Sequence, residues 1–424
     1  MLVQFRVENH RSLRDEQVLS LLASSRVDQT PERLIPLGKP GESLLPAAAI
    51  YGANGSGKTS VLHALAFMCD AVRRSHRTWE PGGGTPREPF LLSSKATTPS
   101  RYEVDIVLGG TRFRYGFSLS DRRVEEEWLF ARPHGRKQSW FTRDGDRFEF
   151  GKQLGGENQA IVAATRDNSL FLSAAAQNNH GKLLPLYRWF HAVRFELRRS
   201  SAAGLDAWHA ALLEELLSDA PEQPLTAAED ADRRRLRGGL ITLLREADLG
   251  IVDVRLQPRG SARRRAGELD LVFRHRTADG RAAWLPLAAE SAGTVALVGI
   301  AARLVGVLAR GGVLCIDEFD ASLHPTLVLG LLRTLHDREK NPHGAQLLFT
   351  THDANLLGMV NGEAPLRRDQ IWFTEKDIAG ATHLYPLMDH HPRKAENLER
   401  GYLQGRYGAI PFIGDLLPAP TPEP

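Results

Sequence analysis

Short apolar runs bounded by polar turns mark the first part of the chain. Residues 2–8 and 17–22 form two of these runs, and a polar turn at residues 9–12 joins them. Three further runs, separated by Gly109-Gly110 and Ser120-Asp121, occupy residues 102–108, 111–119 and 122–130. Two-residue turns of this kind connect antiparallel neighbours, so the pattern predicts an antiparallel N-terminal sheet.

Other runs are apolar without alternation, which is typical of strands buried on both faces. They occupy residues 47–51, 313–316 and 346–350. The first leads into a helical pattern at residues 60–68, with apolar positions at Val61, Leu62, Leu65, Ala66 and Met68. Buried strands that alternate with helices predict an α/β fold.

The character of the chain changes near residue 181, which suggests two lobes and an insertion. We assign a first lobe to residues 1–180, a mainly helical insertion to 181–284, a second lobe to 285–390, and a C-terminal segment to 391–424. Inside the insertion, the pattern predicts helices near residues 205–216 and 227–246 and a strand pair near residues 251–256 and 269–274. The proline-rich tail from Pro418 is expected to be disordered.

Residues 52–59 read Gly-Ala-Asn-Gly-Ser-Gly-Lys-Thr and lie between the first buried strand and its helix. This is the spacing of a phosphate loop, in which backbone N–H groups and the helix dipole attract a triphosphate. Lys58 would reach the β- and γ-phosphates, and the Thr59 hydroxyl would hold Mg²⁺. We expect the nucleotide to contact Gly52, Asn54, Gly55, Ser56, Gly57, Lys58, Thr59 and Ser60.

Two later strands end in residues suited to phosphate chemistry. The run at 313–316 is followed by Asp317, which can bind Mg²⁺, and by Glu318, which can polarise the water that attacks the γ-phosphate. The run at 346–350 leads to His352, which can sense the γ-phosphate because open α/β sheets bind ligands at the carboxyl ends of their strands. We predict Lys58, Glu318 and His352 as the catalytic residues.

A second anion site is predicted at residues 290–294, which read Glu-Ser-Ala-Gly-Thr and open an apolar helix. Ser291 and Gly293 would present the helix N-terminus to a phosphate. One chain rarely needs two such sites for one nucleotide, so we expect this one to act on the nucleotide of another copy. The alternative is a plain capped helix.

Composition indicates the general class of the protein and its expected location. The chain has 424 residues, of which 42% are hydrophobic and 25% are charged, as in ordinary globular proteins. We find no stretch approaching the roughly 18 apolar residues of a membrane span and no apolar signal peptide, so we predict a cytoplasmic protein without a membrane partner. Cys69 and Cys315 lie on separate apolar segments and are expected to be reduced and buried.

The net charge of +3 permits contact with nucleic acid without requiring it. Positive charge is concentrated at Arg233, Arg234, Arg235 and Arg237 and again at residues 263–265. These clusters suggest a surface for DNA or RNA, or else a solvated arginine-rich face. No aromatic residues interleave with the arginines, so stacking on bases gains no support.

Taken together, the motifs resemble those of ABC-type ATPases of the SMC-like branch. The matching segments are residues 5–12, the phosphate loop, residues 290–294, Asp317 and Glu318, residues 320–325, and residues 350–353. The resemblance implies a two-lobed ATPase head that binds ATP and Mg²⁺ and dimerises head to tail around two ATP molecules. It also implies that Arg11 approaches the nucleotide, that residues 320–324 cross the dimer interface, and that Gln177 contacts the metal.

The segment at 290–294 departs from the Leu-Ser-Gly-Gly-Gln of transporters, which disfavours transport. Residues 372–377 and 401–411 resemble C-terminal elements of the RloA/AbiL group of abortive-infection ATPases. The resemblance implies a regulatory subunit of a phage-defence system that controls a separate effector, a nuclease, held by the insertion or by residues 402–412.

The alternatives are an SMC-like DNA-binding or repair ATPase, which the lack of a long heptad pattern disfavours, and a self-contained ATPase and nuclease. The second alternative needs a further cluster of metal-binding acids, and residues 389–391 are expected to lie on the surface instead.

Overall fold

The structure is a computed structural model, and it describes residues 1–27, 30–38, 41–197, 213, 217, 227–247, 250–258, 269–276, 281, 283–321, 323–360 and 362–411. Several predictions lie outside these residues. They are the helix near 205–216, of which only Leu213 is described, the arginines at 263–265, Phe412, and the tail from Pro418.

A seven-stranded antiparallel sheet forms the N-terminal part of the fold, and it confirms the predicted meander. Its order is β10-β9-β8-β7-β6-β1-β2. The strands are β1 (Leu2–Glu8), β2 (Gln17–Ser20), β6 (Ser100–Leu108), β7 (Thr111–Leu119), β8 (Val124–Arg132), β9 (Gln138–Asp144) and β10 (Arg147–Phe150). The last two were not predicted, because their sequences are short and largely polar.

A six-stranded sheet crosses the middle of the chain in the order β11-β15-β16-β5-β17-β18. Neighbours are parallel except for β18, which pairs antiparallel with β17. The strands are β5 (Ala47–Gly52), β11 (Arg194–Glu196), β15 (Val313–Ile316), β16 (Gln346–Thr350), β17 (Ile371–Lys376) and β18 (Thr382–Pro386). The three apolar runs at 47, 313 and 346 are therefore neighbouring buried strands, which confirms the α/β class.

The six-stranded sheet separates two hydrophobic cores, because successive side chains of a strand point to opposite faces. On β5, Ala48 and Ile50 belong to the core shared with the seven-stranded sheet. Ala47, Ala49 and Tyr51 belong to the core on the other face. This explains why the strand has no polar position that would mark an exposed face.

Helices cover both faces of the six-stranded sheet. They are α1 (Lys58–Thr78), α2 (Asn158–Ala164), α3 (Phe171–Gln177), α4 (Leu184–Ala192), α5 (Ala227–Glu246), α6 (Ala292–Arg310), α7 (Pro325–His336) and α8 (Leu398–Leu403). Short 3₁₀ helices occupy Pro31–Arg33, Ser94–Thr97, Pro133–Gly135, Leu287–Ala289, Ala354–Leu357, Arg368–Gln370 and Leu387–His390. A two-stranded ribbon joins β3 (Ile35–Pro36) to β4 (Ser43–Leu44).

The region predicted as a mainly helical insertion contains more sheet than expected. The predicted strand pair is confirmed as β12 (Ile251–Pro258) and β13 (Leu269–His275), and an unpredicted third strand, β14 (Ala283–Pro286), pairs with β13. The strand β11 in the same region pairs with β15 in the six-stranded sheet. The proposed domain boundaries remain a prediction.

The helix α6 contradicts the prediction that no stretch of the chain is long and apolar enough to span a membrane. Its segment Gly293–Arg310 is 18 residues long with a mean hydropathy of 1.6, so by length and composition it could cross a membrane, and 61% of it is buried inside the protein. The prediction that no stretch approaches this length was wrong, because a helix packed on most of its faces needs the same apolar composition. Its one internal arginine, Arg303, is buried and pairs with Glu196.

Tyrosines of the aromatic C-terminal stretch pack against the core of this chain. Tyr402 and Tyr407 are buried, and both rings stack on Phe373 of β17. These two tyrosines of the segment 402–412 are therefore buried against this chain and are not exposed for contact with an effector. Asp389, His390 and His391 are exposed, as predicted.

Candidate nucleotide-binding site

The predicted site residues converge because four parallel strands end at the same edge of the sheet. The strand β5 leads into residues 52–59, β15 into Asp317 and Glu318, and β16 into His352. The strand β17, on the other side of β5, ends at Lys376. The sheet order places the phosphate loop between the acidic residues and this lysine.

The phosphate loop has the backbone conformation that its glycines suggest. Gly55 and Gly57 have φ angles of 76° and 105°, in the left-handed region that disfavours side chains. At Gly57, a Cβ atom would lie 2.1 Å from the hydroxyl oxygen of Thr382, so a side chain has no room there. Asn54 and Gly55 are exposed at the tip, and α1 begins at Lys58.

Lys58 is buried and its ammonium group donates to two carbonyl oxygens of the loop. The distances from Nζ are 2.8 Å to the oxygen of Gly52 and 3.1 Å to that of Ala53. Burial lowers the pKa of Lys58, and the nearby Asp317 and Glu318 oppose this shift. The lysine is thus held at the loop, within reach of an anion bound there.

Hydroxyl groups from two distant segments brace the loop. Thr382 Oγ1 donates to the carbonyl of Ser56 at 2.8 Å and lies 2.8 Å from Ser12 Oγ, which in turn lies 2.9 Å from Ser60 Oγ. Ser56 Oγ lies 2.7 Å from Thr374 Oγ1. Sequence reasoning missed Thr374 and Thr382, because no local pattern shows that β17 and β18 pack against the loop.

The residues predicted to hold Mg²⁺ on this face are adjacent. Thr59 Oγ1 lies 3.1 and 3.0 Å from the two carboxylate oxygens of Asp317. Thr350 Oγ1 donates to Asp317 at 2.7 Å and fixes its orientation. Mg²⁺ usually takes one or two protein oxygens and completes its shell with phosphate oxygens and water, so this donor set fits the ion. The described residues contain no group of three or more His, Cys, Asp or Glu side chains that could hold a metal by themselves.

Glu318 and His352 flank this pair. Glu318 has a φ angle of 53°, and its backbone N–H donates to Thr350 Oγ1 at 2.7 Å. Strained non-glycine residues of this kind are concentrated at functional sites. His352 is exposed, and its backbone N–H donates to Asp320 at 3.4 Å. Desolvation of the ring and then the positive charge of Lys58 lower the pKa of His352, so the neutral form predominates at pH 7.

A cavity of about 330 Å³ opens beside the loop. The loop and α1 contribute Gly55, Gly57, Lys58, Thr59 and Ser60, and the remaining lining residues are Arg11, Ser12 and Lys376. The guanidinium of Arg11 forms an ion pair with Glu88 at 2.7 Å, and its approach to a nucleotide stays a prediction. Lys376 was missed, although a buried strand that ends in charged residues was the same signal that identified Asp317.

Ser291 and Gly293 do not line this cavity. Ser291 caps α6: its Oγ accepts from the N–H of Thr294 at 3.1 Å and lies 2.9 Å from the Thr294 hydroxyl. Glu290 is hydrogen-bonded to His275 at 2.7 Å. The helix opening is thus formed as predicted, and its action on a second copy remains a prediction.

Gln177 lies away from the site, which corrects its assignment as a metal ligand. Its side chain is hydrogen-bonded to Tyr187 Oη at 3.4 Å, and that hydroxyl donates to the carbonyl of Arg73 at 3.1 Å. Arg73 is 15 residues along α1 from Lys58, a distance of about 22 Å. The helix α3 is held there because the buried carboxylate of Glu127 accepts from its first N–H groups.

The described arginine cluster is largely engaged within the protein. Arg233 and Arg234 form ion pairs with Asp230, and Arg235 pairs with Asp232 on the same helix. These contacts favour a solvated helix face over a nucleic-acid surface for this part of the chain.

Residues 47–358 match the family model described as an AAA domain, putative AbiEii toxin, type IV TA system. The matched region spans the phosphate loop, Ser291, Asp317, Glu318 and His352, and the chain belongs to this family. It is therefore a P-loop protein of the ATPase class. The curated proteins include no match.

Among solved structures, the chain is similar to three SMC head domains. The SMC head domain from Thermotoga maritima is 12% identical, with a TM-score of 0.40 over 91% of this chain and 98% of that one. An SMC head bound to the C-terminal winged-helix domain of ScpA is 13% identical, with a TM-score of 0.45 over 95% and 99%. A head domain with an extended coiled coil, bound to the C-terminal domain of ScpA derived from Pyrococcus furiosus, is 12% identical, with a TM-score of 0.44 over 96% and 98%.

Proposed function

We propose that this protein is an ATP-binding and ATP-hydrolysing regulatory subunit of a phage-defence system. In this proposal it acts as a head-to-tail dimer of the ABC type and controls a separate effector, a nuclease. The observation that carries the ATPase assignment is the contact of Thr59 with Asp317 beside the phosphate loop, because these residues, at the start of α1 and just after β15, are distant in sequence and would form a Mg²⁺ donor pair.

The chemistry follows from the positions of the side chains. Lys58 and the N–H groups of the loop would bind the phosphates, and Mg²⁺ held by Thr59 and Asp317 would neutralise part of their charge. Glu318, one residue further along, would accept a proton from the attacking water. His352, whose pKa is lowered, keeps one ring N–H in its neutral form and can donate a hydrogen bond from it to the terminal phosphate.

A second copy would complete the site. The N-terminus of α6, with Ser291 and Gly293, does not line the cavity of its own chain, so this helix end would serve a nucleotide bound to the partner. Dimerisation would then depend on ATP, and hydrolysis would release it.

The regulatory role rests on the family. Its description names a putative toxin and a type IV toxin–antitoxin system, which supports a function in defence by abortive infection. The closing of two heads around ATP is a two-state change that could control an effector. With Tyr402 and Tyr407 buried in this chain, the insertion at 181–284 is the better candidate for the effector contact.

The test is to purify the chain alone and together with the product of its neighbouring gene. ATP hydrolysis and cleavage of DNA and RNA are measured for each preparation, with Glu318→Gln as the hydrolysis-deficient control. We expect ATP hydrolysis by the lone chain and nucleic-acid cleavage only with the second protein. Absence of ATP binding by the lone chain would refute the ATPase assignment.

If the lone chain cleaves DNA or RNA, in proportion to its concentration and after repurification, the separate effector is refuted and the chain is a self-contained ATPase and nuclease. If neither preparation cleaves but DNA stimulates ATP hydrolysis, the SMC-like DNA-binding function replaces the defence function.

A further inference from the structure

Three cationic side chains line the cavity beside the phosphate loop, and they differ in their hydrogen bonds and ion pairs. Lys58 donates to the carbonyls of Gly52 and Ala53, and Arg11 is paired with Glu88. The exposed ammonium group of Lys376 forms no hydrogen bond or ion pair within the described residues. Its neighbour Asp377 is already engaged by Arg14 and by backbone N–H groups of its own turn.

The backbone of Lys376 is fixed against the loop. Lys376 ends β17 and is paired across the hairpin with Thr382 of β18. Thr382 donates from its hydroxyl to the carbonyl of Ser56, and its backbone N–H donates to the carbonyl of Ser12 at 2.7 Å. A Cβ at Gly57 would overlap the Thr382 side chain, so hairpin and loop are in direct contact. The lysine therefore starts from a defined position at the edge of the cavity.

The side of the loop on which Lys376 lies indicates which part of a nucleotide it would meet. Asp317, Glu318 and His352, which suit the terminal phosphate and its metal, do not line this cavity. Thr59, which contacts Asp317, lines it together with Ser12, Ser60 and Lys376, so the cavity continues from the metal-binding pair towards Lys376. A nucleotide with its γ-phosphate near Asp317 would extend its inner phosphates towards Ser60 and Lys376.

We propose that Lys376 is a second phosphate-binding lysine, which contacts the α- or β-phosphate of the bound nucleotide. This inference rests on the proposed ATPase function and adds a residue from the C-terminal hairpin to its binding site. The contact is made equally in ATP and ADP, so it contributes to affinity and not to the hydrolysis step.

The experiment compares Lys376→Ala, Lys376→Arg and the distant exposed-lysine control Lys152→Ala with the unchanged full-length chain. Affinities for ATP and for ADP are measured by calorimetric titration with Mg²⁺, and steady-state hydrolysis gives kcat and KM. Loss of one charge-assisted contact is expected to weaken ATP and ADP binding about tenfold each and to raise KM with kcat unchanged. Lys376→Arg should recover most of the affinity, and Lys152→Ala should match the unchanged chain. Thermal unfolding of each variant verifies that it is folded.

Three results would overturn the proposal. Unchanged affinity in Lys376→Ala would show an ordinary solvated lysine, a loss for ATP alone would place the contact at the γ-phosphate, and a fall in kcat alone would make it part of the hydrolysis step. Each of these leaves the ATPase assignment standing. If the unchanged chain binds neither nucleotide, the proposed function fails and the role of Lys376 falls with it.

Discussion

Two helix N-termini are proposed to bind phosphate, and the protein builds them in opposite ways. The first, at Lys58, follows a loop that is braced by hydroxyls of Thr374 and Thr382 from another part of the chain. The second, at Ala292, follows Ser291, whose hydroxyl oxygen is satisfied by the N–H of Thr294 in the same helix. One is supported by tertiary contacts and the other by a local cap.

This difference separates a complete binding site from half of one. At Lys58 the chain supplies a cation, a hydroxyl proposed to hold Mg²⁺ and a facing carboxylate, so under the proposed function one chain would bind a nucleotide alone. At Ala292 the chain supplies a capped helix end, whose dipole attracts an anion weakly unless other groups surround it. The first site should therefore determine nucleotide affinity, and the second should determine whether two copies associate.

The largest effect is expected at Glu318, which belongs to the first site but should affect the rate of ATP hydrolysis and not ATP binding. Glu318→Gln should lower kcat by about a thousandfold with little change in ATP affinity, because the amide cannot accept the proton of the attacking water. Single-turnover hydrolysis and a binding titration measure the two quantities. Equal losses in affinity and kcat would show that Glu318 serves binding instead.

Lys58→Ala should weaken ATP binding by about a hundredfold or more, since the phosphates lose a cation that forms more than one charge-assisted hydrogen bond. Titration with ATP and Mg²⁺ measures this loss. The matched control is Lys340→Ala, an exposed lysine paired with Asp337 on the surface. Undiminished affinity in Lys58→Ala would contradict the phosphate-loop assignment.

Ser291→Arg should leave ATP affinity within about twofold and abolish the ATP-dependent dimer, because the larger side chain fills the space that the partner's nucleotide needs. Sedimentation with ATP and Mg²⁺ in a Glu318→Gln background detects the dimer. Ser291→Ala is the control, because it also loses the cap but leaves the space open. A dimer that survives in Ser291→Arg would refute the shared site.

Two glycines of the loop test how much its tertiary support matters. Gly57→Ala should cost about 3 kcal/mol of unfolding free energy, since its Cβ would meet Thr382 in addition to the left-handed backbone penalty. Gly55→Ala should cost only about 1 kcal/mol, because its Cβ meets nothing within 4 Å. Denaturant unfolding measures both. Equal costs would mean that the Thr382 side chain moves aside and that the hairpin does not hold the loop in place.

The smallest expected effect is on the stability of the protein at acidic pH. His10 anchors the turn that carries Arg11 and Ser12, and it is buried with its Nδ1 2.9 Å from the hydroxyl of Tyr102. Burial lowers its pKa to about 3, with the charge of Arg11 adding to the shift. The unfolded chain then binds the extra proton between about pH 6.5 and pH 3, so stability is complete above this range and falls as the pH drops through it.

Replacing His10 by Asn should flatten the dependence of unfolding free energy on pH by about one proton between pH 6.5 and 4. His336, whose pKa burial lowers to about 4, is far from the phosphate loop and serves as the comparison. His336→Gln should flatten the slope likewise, but only the His10 variant should alter ATP affinity near pH 5. An unchanged slope in both variants would show that neither histidine is buried in its neutral form.

The sequence alone predicted the features whose geometry depends on local spacing. The phosphate loop, the Asp317-Glu318 pair and the cap at Ser291 each lie on one turn or one strand end, where chain connectivity fixes the geometry. The antiparallel meander and the buried strands were equally readable, because strand periodicity and turn residues are properties of consecutive positions.

Only the tertiary structure decided the contacts that depend on sheet order. It placed β17 and β18 against β5, so Thr374, Thr382 and Lys376 reached the phosphate loop from more than 300 positions away in sequence. It also placed Gln177 near the far end of α1, against its assignment to the metal, because the buried carboxylate of Glu127 holds α3 there. Such contacts follow from which strands and helices pack together, and that choice is made by burial over the whole core, which no local pattern records.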